Sequence, residues 1–120
     1  QATLQAARAW KRRLRCVFQP HRYSRTRYLM EPLAASFHQA DEVILLPIYA
    51  ASEDPLEGAS IEALRAAMRA SGHRRVRISS PAEVVGELKA TSRKGDMVLF
   101  LGAGSVGDLA KKFVGKFHAA

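Results

Sequence analysis

The chain has 120 residues, 48% of them hydrophobic and 25% charged, with a formal net charge of +8. That is the size of one domain with apolar surface enough for a buried core, and the mixture excludes a disordered segment. No apolar run approaches the roughly 18 residues that cross a bilayer, and a lone cysteine, Cys16, excludes a disulfide framework or a cysteine-rich zinc site. The expected setting is the reducing cytoplasm, with no membrane contact and no secretory signal in the basic, amphipathic first residues. The charge is uneven: residues 1–30 hold eight basic side chains and no acid, while residues 31–120 hold eleven of each. An anionic partner near this end follows from that concentration, whether nucleic acid, phosphate or a carboxylate.

In chain order, residues 2–13 show helical spacing of Leu4, Ala7 and Trp10, and residues 14–18 form a short apolar strand ended by Pro20. Residues 21–26 are polar and read as a loop. Residues 27–39 read as a helix with Leu29, Leu33 and Phe37 on one face, and Pro32 must fall in its first turn or kink it. Residues 42–48 are almost continuously apolar, as in strands buried on both faces of a parallel sheet. Residues 49–58 are irregular. Ser60 caps a helix carrying Ile61, Leu64 and Met68 on its buried face and ended by Gly72. Residues 76–78 form a third strand, and Ser80-Pro81-Ala82-Glu83 reads as a capping box opening a helix to about residue 90. Residues 97–101 form the last strand, and Gly102-Ala103-Gly104-Ser105 leads into a final helix ending near His118.

Helices and apolar strands thus alternate strictly. The fold class expected is α/β, a single mostly parallel sheet flanked by helices and Rossmann-like. Ligands of such sheets collect at the carboxyl ends of the strands. Three loops lie there: residues 19–26, 49–58 and 102–105.

The first loop, Gln19-Pro20-His21-Arg22-Tyr23-Ser24-Arg25-Thr26-Arg27, concentrates an imidazole and three guanidiniums at that edge. Guanidinium is always charged and offers a planar fork matching carboxylate and phosphate oxygens. The second loop carries Glu53 and Asp54, which either bind a substrate ammonium or balance Arg22 and Arg25. Gly102-Ala103-Gly104-Ser105-Val106-Gly107 is a literal G-x-G-x-x-G, but only thirteen residues follow it, too few for the second strand and acidic ribose partner of a dinucleotide site. No G-x-x-x-x-G-K-[S/T] occurs, so this chain has no P-loop. His21, His38, His73 and His118 show no metal-ligand spacing, and Cys16 reads as inert packing.

The stretch Phe18-Gln19-Pro20-His21-Arg22-Tyr23-Ser24-Arg25-Thr26, followed by Tyr49-Ala50-Ala51-Ser52-Glu53-Asp54-Pro55 and Gly102-Ala103-Gly104-Ser105, resembles the Mur ligase family over nearly the whole chain, in order and at matching spacing. The first stretch is specific; the glycine turn alone is weak. The resemblance implies that residues 1–120 are the C-terminal domain, which receives the incoming amino acid. It implies central ATP-binding and N-terminal UDP-binding domains outside this chain, upstream of Gln1. ATP and Mg2+ would then be bound mainly by the central domain, with no cofactor expected in this chain alone, which would be inactive by itself.

The implied reaction is ATP-dependent amide formation between the lactyl carboxylate of UDP-N-acetylmuramate and L-alanine through an acyl phosphate, in peptidoglycan precursor synthesis. By the match, Arg22 and Arg25 hold the alanine carboxylate and the acyl phosphate, His21 orients that cluster, and Tyr49 and Glu53 shape the amino-acid pocket. Partners are these small molecules and the protein's own other domains. One departure is visible: the family's second loop reads Y-A-A-G-E, and Ser52 stands at the glycine. A positive φ there would strain the serine. The competing reading is a free-standing basic α/β module binding nucleic acid through residues 8–27, with Trp10, Tyr23 and Tyr28 stacking on bases; the ligase reading expects no nucleic acid.

Overall fold

The computed structural model describes residues 13–119 apart from 57, 94 and 103–105, with side chains described as far as residue 113. The helix expected over 2–13, Trp10 included, lies outside them up to residue 12. Four strands form one parallel sheet: β1 (Leu14–Gln19), β2 (Glu42–Leu45), β3 (Val76–Ile78) and β4 (Met97–Gly102), in the order β3-β2-β1-β4. β1 is central, with Cys16 opposite both Val43 of β2 and Leu99 of β4. The connections carry helices α1 (Tyr23–Tyr28), α2 (Met30–Ser36), α3 (Ile61–Ala70) and α4 (Val84–Thr91), and α5 (Val106–Ala119) follows β4.

Strand periodicity splits the core in two. Leu14 and Cys16 of β1 and Val43 and Leu45 of β2 face α2 and α3, meeting Ala34, Phe37, Ile61, Leu64 and Met68. Val17 and Ile44 point the opposite way, toward Val84 and Leu88 of α4 and Val106 and Leu109 of α5. Burial on both faces is why β1 and β2 read as apolar runs rather than as alternation. Cys16 is fully buried, and that burial pushes its thiol up to about 12, so it packs as a small hydrophobe.

Local structure departs from the sequence reading in three places. The segment 21–26 is not all loop, because α1 begins at Tyr23, and the helix expected over 27–39 is instead the two short helices α1 and α2. The break falls at Leu29 (φ −102°, ψ 14°), where Pro32 has no N–H to give to the carbonyl of Tyr28. The ladder restarts when Leu33 N–H donates to Leu29 O at 2.8 Å. The second strand ends at Leu45 rather than 48. Leu46 N–H still donates to Phe18 O at 2.9 Å, but Pro47 cannot donate, and pairing resumes only at the His21–Tyr49 bridge. Ser60 caps α3 as expected, accepting from Ala63 N–H at 3.0 Å. Ser80 does not close a capping box: its hydroxyl lies 3.2 Å from the Glu83 carboxylate, and a turn over 81–83 delays α4 to Val84.

At the amino ends of the strands, charge is spent on structure. Arg13 Nε donates to Asp96 at 3.0 Å, and buried Arg15 donates to Glu42 at 2.8 Å. Arg77 links Glu42 to Glu87. Two of the eight basic residues in the first quarter of the chain are therefore neutralised far from the carboxyl edge.

At the other edge the strands close tightly. Gly102 has φ +121°, and a Cβ there would lie 2.1 Å from the carbonyl oxygen of Gln19, its register partner on β1. Gly95 also has a positive φ, +90°, but open space around it. Gly102→Ala is therefore expected to destabilise the chain by more than about 3 kcal/mol, since backbone must move as well as adopt a strained φ. Gly95→Ala should cost only about 1 kcal/mol. Denaturant midpoints of the two variants give the comparison, and equal losses would contradict the close β1–β4 approach.

Candidate functional site

The sheet order reverses at β1: β2 and β3 extend to one side and β4 lies on the other. The crevice beyond the carboxyl ends of β1 and β4 is thus the topological switch point, where such sheets bind ligands. A cavity of about 420 Å³ opens there, lined by Phe18, Gln19, Pro20, His21, Arg25, Thr26, Leu29, Leu33 and Gly102. Phe18, Leu29 and Leu33 make it apolar on one side. His21, Arg25 and Thr26 supply the polar groups, an arrangement suited to a small ligand with one charged end.

Arg22 holds an unusual backbone conformation, φ 66° and ψ 141°. A side chain rarely tolerates that region, at a cost of about 1–3 kcal/mol unless neighbours impose it. Here they do. Arg22 N–H donates to Tyr49 O at 2.7 Å, and its carbonyl accepts from Thr26 N–H at 3.1 Å and from the Thr26 hydroxyl at 2.7 Å. Tyr49 N–H donates in turn to Pro20 O at 2.8 Å, and the His21 and Tyr49 rings stack with centroids 5.6 Å apart and planes 21° apart. The Arg22 side chain itself is exposed.

The second loop turns on two left-handed residues, Ala51 (φ 50°) and Ser52 (φ 73°), closed by Glu53 N–H donating to Ala50 O at 3.0 Å. Positive φ at both central positions is the mark of a type I′ turn, which favours glycine or asparagine. The serine at the family's glycine position therefore does take the strained conformation. The turn delivers Glu53 to the first loop, where its carboxylate accepts from the Ser24 hydroxyl at 2.6 Å and from Ser24 N–H at 3.2 Å. Those bonds, with lesser help from Tyr23 N–H and the nearby Arg22 charge, hold the Glu53 carboxyl below the usual glutamate range. Glu53 thus caps α1, whose N-cap residue Arg22 has no side-chain oxygen to offer.

Five site residues were expected from the sequence, and they gather at one edge but not in one cavity. His21 and Arg25 line the cavity. Tyr49 stacks on His21, Arg22 is tied to Tyr49 through its backbone, and Glu53 is tied to Ser24; these three stand outside the lining. Gln19, Thr26 and Gly102 lie in the loops expected at this edge but are not singled out there as site residues. Thr26 is 1% exposed, a signal available only once Tyr23–Tyr28 is known to be helical. Most of the third loop, 103–105, lies outside the described residues. Among the described residues no three His, Cys, Asp or Glu side chains form a group that holds a metal ion. His73 lies apart from this edge, with Nε2 2.8 Å from Ala40 O, and His38 lies 3.3 Å from the Ser71 hydroxyl.

A parallel α/β domain with a cationic loop at its switch point is the class that this geometry defines. Residues 1–104 match the family model described as Mur ligase, glutamate ligase domain, and the chain belongs to that family. It is 51% identical over 107 residues to the UDP-N-acetylmuramate–L-alanine ligase of Anaeromyxobacter dehalogenans (strain 2CP-C), which covers 88% of this chain and 23% of that protein. It is 45% identical to the ligase of the same name from Anaeromyxobacter sp. (strain Fw109-5), over 99% of this chain and 26% of the relative. The corresponding Geotalea daltonii protein is 43% identical, over 100% and 27%. The chain spans about a quarter of the length of these relatives.

Because the Glu53 carboxyl is depressed, its bonds to Ser24 are present above the ordinary glutamate value of 4.5 and are lost as pH falls through the lower folded value. An NMR titration should show the Glu53 side-chain carboxyl and the Ser24 amide moving together, with a shared midpoint below 4.5. A Ser24 amide indifferent to the Glu53 titration would separate the two loops.

Proposed function

We propose that this chain is the amino-acid-receiving domain of an ATP-dependent ligase that joins L-alanine to the lactyl carboxylate of UDP-N-acetylmuramate in peptidoglycan precursor synthesis. The observation that carries the reading is the gathering of His21, Arg22 and Arg25 at the switch point of a chain 51% identical to a ligase of that name. The same reading assigns residues 1–120 to the C-terminal domain and places the ATP-binding and UDP-binding domains in the rest of the protein. Among the described residues no three His, Cys, Asp or Glu side chains gather as a Mg2+ site needs.

In this reading the lactyl carboxylate takes the terminal phosphoryl group of ATP, giving an acyl phosphate and ADP. The deprotonated amine of L-alanine attacks the acyl carbon, and the tetrahedral adduct collapses by expelling phosphate. Anionic charge develops on the phosphate and on the adduct oxygen, so fixed guanidiniums stabilise what changes most during the reaction. Arg25, on the cavity wall, and Arg22, whose backbone is fastened next to His21, supply the opposing positive charge. Arg22 and Arg25 grip the alanine carboxylate and the acyl phosphate. His21, held flat against Tyr49, orients the cluster, and Glu53 shapes the pocket through its tie to the first loop rather than by direct contact.

Arg22→Ala or Arg25→Ala in the intact ligase should lower kcat/KM by about a hundredfold or more with the fold intact, the size expected for losing a charge-assisted contact made in the transition state. Arg22→Lys separates a planar grip from charge alone: loss of the second parallel hydrogen bond should cost about ten- to a hundredfold. Steady-state kinetics for L-alanine at two ionic strengths measures this. Full activity in the lysine variant would leave only an electrostatic role for Arg22, and near wild-type kinetics in both alanine variants would remove the pair from the site. The 120-residue chain alone should turn over no ATP, since it contains no P-loop; sustained hydrolysis by purified chain would overturn the domain assignment.

A further inference from the structure

We infer that Thr26 is a positioning residue for the ligase reaction: its buried hydroxyl holds Arg22 in the strained backbone conformation that presents the guanidinium at the ligand edge. The inference rests on the assignment of Arg22 proposed above and goes beyond it to the group that makes Arg22 competent.

Arg22 is the residue at which the chain leaves the sheet and enters α1, and its φ of 66° with ψ of 141° suits glycine far better than arginine. A glycine would pass through this corner freely but would carry no charge to the ligand. An arginine keeps the charge and must be held. Its N–H is fastened to Tyr49 O, across the parallel bridge, and its carbonyl is fastened by two donors of Thr26, the amide and the hydroxyl. The corner is thereby fixed on both sides of the strained φ.

A hydroxyl bonded to the carbonyl four residues back is common within helices, and this chain has an internal control. Thr91 Oγ1 donates to Glu87 O at 2.8 Å in the same pattern, but Thr91 is exposed and its acceptor lies in the interior of α4. Thr26 differs on both counts. It is 1% exposed, on the wall of the cavity that also holds His21 and Arg25, and its acceptor is the strained residue itself. A threonine with no further duty at that buried position wastes a polar group where valine packs as well. The Thr26 hydroxyl has that duty, since it donates to the Arg22 carbonyl at 2.7 Å.

The test uses Thr26→Val, which keeps the shape and removes the hydroxyl, Thr26→Ser, which restores it, and Thr91→Val as the control bond. In this chain, hydrogen exchange at the Arg22 amide should quicken about tenfold in Thr26→Val, the effect of one lost hydrogen bond, and return to within about threefold of wild type in Thr26→Ser. In the intact ligase, kcat/KM for L-alanine should fall about tenfold or more in Thr26→Val, recover in Thr26→Ser and stay unchanged in Thr91→Val, with KM for ATP within about twofold throughout. Wild-type exchange at Arg22 in Thr26→Val, or a serine variant as impaired as the valine one, would overturn the inference. Arg22→Ala distinguishes its failure from that of the reading beneath it. If Arg22→Ala is impaired while Thr26→Val is not, the positioning role alone falls. If Arg22→Ala has full activity, the assignment of Arg22 falls and the positioning role with it.

Discussion

The carboxyl end of β1 is fastened on both flanks, and the ligand edge depends on that double attachment. On one flank β4 presses Gly102 against the Gln19 backbone, an approach only a residue without a Cβ permits. On the other, the Gln19 side-chain amide donates to Pro47 O at 3.0 Å, and the Pro20, Tyr49 and Arg22 backbones continue the pairing past the proline that interrupts it. Pro47 would otherwise let the second loop swing away from the first. With both flanks held, the chain leaves β1 along a single path, and His21, Arg22 and Arg25 emerge from it in a fixed relation.

The two edges of the sheet use arginine in opposite ways. At the amino ends, Arg13, Arg15 and Arg77 are consumed in pairs with Asp96, Glu42 and Glu87, and Arg15 is buried in doing so. At the carboxyl ends, Arg22 and Arg25 make no ion pair with any described residue. The nearest acid in role, Glu53, gives its hydrogen bonds to Ser24 and feels the Arg22 charge without forming an ion pair with it. Capping α1 with a carboxylate from another loop supplies the hydrogen-bond acceptor that Arg22 lacks while leaving the guanidinium available. The separation leaves a localised positive potential where a parallel sheet receives its ligand.

Much of this was legible in the residues. A short apolar run at 14–18 announced one strand and the near-continuous run at 42–48 a strand buried on both faces, and the cationic loop stood out because arginine at that density needs a reason. Other features were not legible, each for a physical cause. The segment 21–26 looked like loop because its capping acceptor, Glu53, lies 29 residues away in the chain. The helix over 27–39 looked continuous because apolar spacing persists through Leu29 while Pro32 breaks the ladder beneath it. The roles of Thr26 and Gly102 depend on what lies opposite them in space, and no local pattern encodes that. Ser52 is the intermediate case: the family pattern raised the possibility of a positive φ, and the turn around it realises one.

The burial of Cys16 gives the fold a built-in clock. Its sulfur lies on the face of β1 that α2 and α3 cover, and its thiol is held protonated by the surrounding hydrocarbon. Alkylating reagents need thiolate and need access, and here neither is available until α2 and α3 lift from the sheet. Reaction at this one sulfur therefore counts openings of that helical layer from the sheet, insensitive to fraying at the loops. The strand that aims the arginines thus carries its own record of how often the scaffold lets go.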